Sequence, residues 1–113
     1  MLLIGCSQKV TEESLIEGTW IGTSGYEDEE EEGEPNCYPF EDGIEFKSED
    51  TVYVETYDRD FDYWLSDKET TITFLDKSRY YSYDIKKNGE DKIILEGLFS
   101  QEGRGCIMVR NKD

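Results

Sequence analysis

From Gly18 onward the apolar residues recur at every second position between short runs of turn-forming residues, and nowhere at the 3.6-residue spacing of a helix over a useful length. Period two sends successive side chains to opposite faces of an extended backbone, so each run reads as a strand with one dry and one wet face. Eight candidates follow: Thr19 to Gly25, Gly43 to Lys47, Thr51 to Tyr57, Phe61 to Leu65, Thr70 to Leu75, Arg79 to Lys86, Lys92 to Phe99 and Gly105 to Arg110. Short connections such as Ser48-Glu49-Asp50 and Lys87-Asn88-Gly89-Glu90-Asp91 predict sequential antiparallel pairing in an up-and-down meander. Closing that meander on itself removes its exposed edges. The expected fold is therefore all-β, a closed or nearly closed barrel of about eight strands, with a two-sheet sandwich as the alternative. A chain of 113 residues has room for one such domain, expected over residues 18–113.

The alternation also names an interior. Taking the better face, the inward residues are Trp20, Ile44, Phe46, Val52, Val54, Phe61, Tyr63, Leu65, Ile72, Phe74, Tyr81, Tyr83, Ile85, Ile93 and Leu95, with parity open where Tyr53 and Trp64 compete. An eight-stranded barrel is just wide enough to be filled by its own side chains or to hold one small ligand. Trp20, Phe46, Val54, Tyr63, Phe74, Tyr81 and Tyr83 are the candidate ligand-binding residues, and a packed core without cargo is the other outcome.

The segment Leu15-Ile16-Glu17-Gly18-Thr19-Trp20 resembles the Gly-x-Trp opening of the first strand in lipocalins and the wider calycin group, and Arg110 is placed like the Arg that packs over that Trp. The resemblance implies a lipocalin-like barrel whose bottom is closed by the Arg110 guanidinium stacked on the Trp20 indole, and a small apolar ligand bound at the mouth. Shorter than a typical lipocalin, the chain is closer to the short lipocalin-like domains of bacterial lipoproteins.

Leu3-Ile4-Gly5-Cys6 resembles the lipobox of bacterial lipoproteins, which implies a diacylglycerol on Cys6, removal of residues 1 to 5, and a cell-envelope protein facing outside the cytoplasm. The apolar run before Cys6 is five residues long without a basic flank, so the beginning of a signal peptide is expected upstream of Met1. The alternative is a cytosolic chain with an incidental apolar start. Residues 1–17 thus read as a lipobox remnant followed by a polar tether, with the membrane reached through the lipid on Cys6. No stretch approaches the ~20 apolar residues of a membrane-spanning helix.

Twelve Lys and Arg against 28 Asp and Glu give a formal charge of -16, a surface that repels nucleic acid. The chain has no His, which removes Ser-His and Cys-His nucleophile pairs and most catalytic zinc sites. Neither an enzyme nor a cofactor is expected, since nothing singles out one catalytic pair among so many carboxylates. The run Glu27-Asp28-Glu29-Glu30-Glu31-Glu32-Gly33-Glu34 reads as a solvated loop, or as a docking surface for a cationic protein in an inhibitor or immunity-type role.

Two further sets of residues carry chemistry. Asp58-x-Asp60-x-Asp62, with Ser66 and Glu69, reproduces the liganding spacing of an EF-hand calcium loop, but Tyr63 stands where that loop needs Gly and the flanks are β-rich. It reads as an acidic hairpin and only a weak calcium candidate. With Cys6 lipidated, Cys37 and Cys106 remain, either as two buried thiols or as a disulfide closing about 70 residues and contributing about 4 kcal/mol.

Overall fold

The structure, a computed structural model, describes residues 10–112; Cys6 and the apolar opening lie outside them. After one helical turn, α1 (Glu12–Leu15), the described chain is strand and turn. The strands are β1 (Thr19–Glu27), β2 (Glu30–Glu31), β3 (Ile44–Phe46), β4 (Thr51–Val54), β5 (Arg59–Leu65), β6 (Thr71–Asp76), β7 (Arg79–Lys87), β8 (Lys92–Leu98) and β9 (Gly105–Asn111). From β3 to β9 each strand pairs antiparallel with the next, and β1 pairs with both β3 and β9. Eight antiparallel strands thus close into a barrel. The short β2 folds back on the upper end of β1 as an extra hairpin arm, with Tyr26 opposite Glu31 and Glu27 opposite Glu30.

The two seams of β1 differ. Along β9 the register runs from Thr19 opposite Asn111 to Gly25 opposite Cys106, interrupted by an irregularity between Gly22 and Ser24. Along β3 it consists of Trp20 opposite Ile44 alone. Above that pair the segment preceding β3 bridges the gap: the Gly22 amide donates to the Glu41 carbonyl at 2.8 Å, and the Glu55 amide donates to the Gly43 carbonyl at 3.0 Å.

Strand ends shift where turns claim residues that period two had assigned to strands. β4 stops at Val54 because Glu55 to Asp58 form a turn, with Asp58 at a φ of 52°. β8 stops at Leu98, and Phe99, at a φ of 55°, begins a 3-10 turn with its ring exposed. The acidic run is a hairpin, not only a loop: the Glu32 amide donates to the Gly25 carbonyl and the Gly25 amide to the Gly33 carbonyl, both at 2.9 Å. A Cβ at Gly25 would collide with the carbonyl oxygens of Glu32 and Glu34, so glycine is required where the arm returns.

Inside, parity resolves in favour of Val52, Val54 and Tyr63, while Tyr53 and Trp64 face outward. Every expected inward residue is buried except Leu65, which is half-buried at its strand end. Val10, Leu15, Phe40, Cys37, Cys106 and Met108 join them. Residues 10–17, expected as part of a polar tether, instead lie across the bottom of the barrel. Thr11 and Ser14 cap α1 reciprocally, each side-chain oxygen accepting the other's amide at 3.1 Å. Ile16 then bridges to Phe46, and Val10 and Leu15 bury the apolar face of an otherwise polar segment.

Two core phenols titrate against burial. Desolvation pushes Tyr83 up to about 12, opposed by the Gln101 amide donating to its oxygen at 3.1 Å and by the charge of Arg104. Burial likewise raises Tyr63, whose hydroxyl donates to the Ser48 carbonyl at 2.7 Å. A tyrosine in the unfolded chain deprotonates near 10, before Tyr83 does in the folded one, so the unfolded state binds fewer protons and stability falls as pH rises. In equilibrium urea unfolding the Tyr83 contribution should therefore be constant between neutral pH and about 10 and cost about 2–3 kcal/mol of stability by pH about 12. Tyr83→Phe should lower stability at neutral pH by orphaning Gln101, yet flatten this alkaline decline.

Candidate functional site

A lipocalin-type ligand would need room among Trp20, Phe46, Val54, Tyr63, Phe74, Tyr81 and Tyr83. The structure brings these seven side chains together in the interior. Phe40 packs among three of them, Phe74, Tyr81 and Tyr83. Its ring stacks on Phe74 with centroids 4.1 Å apart and meets Tyr81, Phe61 and Tyr83 edge-on at 5.1, 5.9 and 6.0 Å. Phe40 is fully buried and makes the upper barrel a packed core.

The segment that delivers Phe40 is held from several sides. Cys37 is bonded to Cys106 of β9, with their Cα atoms 5.8 Å apart. The Asn36 amide donates to the Gly105 carbonyl at 3.2 Å, the Cys37 amide to the Glu41 carboxylate at 2.8 Å, and the Phe40 amide to the Cys37 carbonyl at 2.7 Å. Phe40 escaped a reading based on periodicity because it belongs to no strand. The available signal was a phenylalanine three residues after a cysteine, in a connection whose other aromatic ring, Tyr38, carries a hydroxyl.

At the bottom, the Arg110 guanidinium lies 4.6 Å from the Trp20 ring centroid. The Trp20 indole donates to the Leu15 carbonyl at 2.9 Å. Arg110 donates to the carbonyls of Ser14, Ile16, Glu17 and Glu90 and to the Asp91 carboxylate at 2.8 to 3.3 Å. One planar cation thus ties the strand-closing seam to the turn before β8 and to the α1 segment.

The calcium candidates are not assembled. Asp58 accepts a hydrogen bond from the Tyr53 hydroxyl in the turn above β5, Asp60 pairs with the Lys47 ammonium at 3.4 Å, and Asp62 stands opposite Thr51 and Leu75. Glu69 belongs to the turn at the other end of β5. An extended strand spreads alternate residues about 6.5 Å apart, which an EF-hand loop avoids by coiling. Among the described residues no group of three acidic or cysteine side chains converges as a metal site.

Carboxylates converge more loosely outside. A cleft of about 400 Å³ lies beside the β1–β2 turn, between the upper ends of β7 and β8 and the β8–β9 connection. Glu27, Asp28, Asp84, Glu96 and Glu102 line it with Tyr26, Leu98 and a single cation, Arg104. The acidic arm is ordered beside it, with the Ser24 hydroxyl donating to Glu31 at 2.7 Å. Charge in this cleft is concentrated and open to solvent, so it can attract and hold a cationic side chain.

Phe40→Ala should cost about 3–5 kcal/mol in urea unfolding, the range for deleting a large buried ring. It should also open an apolar void that takes up xenon or benzene, detectable by calorimetry or by pressure-cell diffraction. In comparisons with known proteins, the chain matches no family model, no curated protein and no solved structure.

Proposed function

We propose that this is the lipocalin-like domain of a small bacterial lipoprotein, held to the cell envelope through a lipid on Cys6, and that its work is to dock a cationic protein on its acidic exterior. The observation that carries the reading is Phe40. A barrel that packs its own ring against Phe74, Tyr81 and Tyr83 uses that part of its interior as core, which favours a working surface on the outside. The exterior carries a formal charge of -16, and the cleft beside the β1–β2 turn gathers five carboxylates around one arginine.

Supporting the envelope assignment are the lipobox-like Leu3-Ile4-Gly5-Cys6 and the Cys37–Cys106 disulfide, a bond suited to an oxidising compartment. The reading assigns no catalysis: it needs only a surface that speeds encounter and holds a basic partner. An acidic inhibitor or immunity-type protein has this design.

Two measurements test it. In calorimetric titration with a cationic lysozyme as probe, binding should be detectable at low salt and weaken about tenfold or more toward physiological salt. The triple change Glu27→Gln, Asp28→Asn and Glu102→Gln should reduce affinity several-fold without altering the melting temperature. Undiminished binding by that variant would remove the cleft from the mechanism. Expressed behind a complete signal peptide in a bacterial host, the protein should incorporate labelled fatty acid and fractionate with membranes, and Cys6→Ala should abolish both.

A further inference from the structure

The outer face of the barrel carries an aromatic platform that the core does not use. Trp64 on β5 and Tyr80 on β7 face solvent, 43% and 56% exposed, with ring centroids 6.2 Å apart and planes at 78°. Between them on β6 lie Thr73 and Leu75, and the Thr73 and Ser82 hydroxyls are hydrogen-bonded at 3.0 Å, which fixes a flat polar strip beside the rings. Isolated apolar residues on a surface need no explanation, but two adjacent large rings form a rigid contact area of the kind that dominates interfaces.

The surroundings of the rings are anionic. In the row through Tyr80, the residues opposite one another are Thr51, Asp62, Leu75 and Tyr80. In the row on the other side of Trp64, they are Thr71, Asp84 and Glu96. Over β4 to β8 neither row contains a Lys or Arg; Lys47, which adjoins Thr51 at the far end of the first row, pairs with Asp60. The middle row runs Trp64, Thr73, Ser82, Leu98, and Leu98, Asp84 and Glu96 are themselves walls of the acidic cleft. Platform and cleft are therefore one continuous surface across β5 to β8.

We infer that this surface is the docking face for an arginine-rich segment of a protein partner, with guanidinium groups lying on the Trp64 and Tyr80 rings and their neighbours reaching Asp62, Asp84 and the cleft. Charge complementarity chooses the occupant. Guanidinium stacks on aromatic planes and bonds carboxylates in the same plane, so one residue type satisfies both components of this face. The inference rests on the proposal of a cationic partner and adds where, and through which side chain, that partner is held.

The test uses an octa-arginine peptide and the intrinsic fluorescence of the two tryptophans, of which Trp20 is fully buried and Trp64 exposed. In the unaltered protein binding should quench the Trp64 signal and weaken with salt, and calorimetric titration with the same peptide should show affinity falling about tenfold in Trp64→Ala with Tyr80→Ala, from two exposed cation–π contacts. Salt sensitivity should persist in that variant. Thermal melts check folding, and Tyr80→Ala alone, which truncates an exposed ring, carries the comparison if the double variant does not fold. Unchanged affinity in the ring variants overturns the platform while leaving acidic docking intact. Absence of binding by the unaltered protein at low salt overturns both. Quenching of Trp64 by neutral chitohexaose, insensitive to salt and unmatched by octa-arginine, would make the rings a glycan platform and likewise overturn the inference.

Discussion

Closure of β1 on β9 is the constraint from which the rest of this molecule follows. Period-two strands make a sheet, and a sheet of this length with one apolar face is unstable as an open ribbon, because the apolar face stays wet and the end strands stay unpaired. The β1–β9 ladder removes both problems, and Arg110 lies directly across that seam from Trp20. The guanidinium covers the indole, then spends its remaining donors on carbonyls from the α1 segment and the turn before β8. In this way the last strand and the α1 segment are fixed to one another, and the inward face acquires a floor.

Much of this was legible in the sequence, and what was missed has a common cause. The strands, their order and the inward residues follow from side-chain alternation, a property each strand carries locally. Gly18-Thr19-Trp20 and Arg110 were legible by resemblance. Phe40, Val10 and Leu15 were not, since they enter the core from segments without alternation, and their burial depends on where the chain is brought by Cys37 and the α1 cap. The Asp58, Asp60 and Asp62 spacing, read as an acidic hairpin and only a weak calcium candidate, illustrates the converse. A liganding pattern is meaningful only on a coiled backbone, and here a strand draws the same residues apart.

The candidate site shows the same division. That the surface is acidic was evident from composition, but composition cannot say which carboxylates are neighbours. Asp84 and Glu96 are twelve residues apart in the chain and directly opposite in the sheet, and Trp64 reaches Leu98 only through the registers of three strand pairs. Docking surfaces on a barrel are properties of rows across strands, whereas sequence presents columns along them.

The seam between β1 and β3 completes the picture. The barrel ring has a ladder everywhere except there, where a single registered pair is supplemented by the bridging segment and by the covalent bond between Cys37 and Cys106. Local openings of a folded protein begin where backbone hydrogen bonds are fewest. In this chain that place coincides with the segment carrying Phe40, so the same fluctuation that parts the wall also withdraws the ring from the core. Breathing of the barrel and hydration of its interior are thus one event, and amide exchange along β3 and the bridging segment would report both.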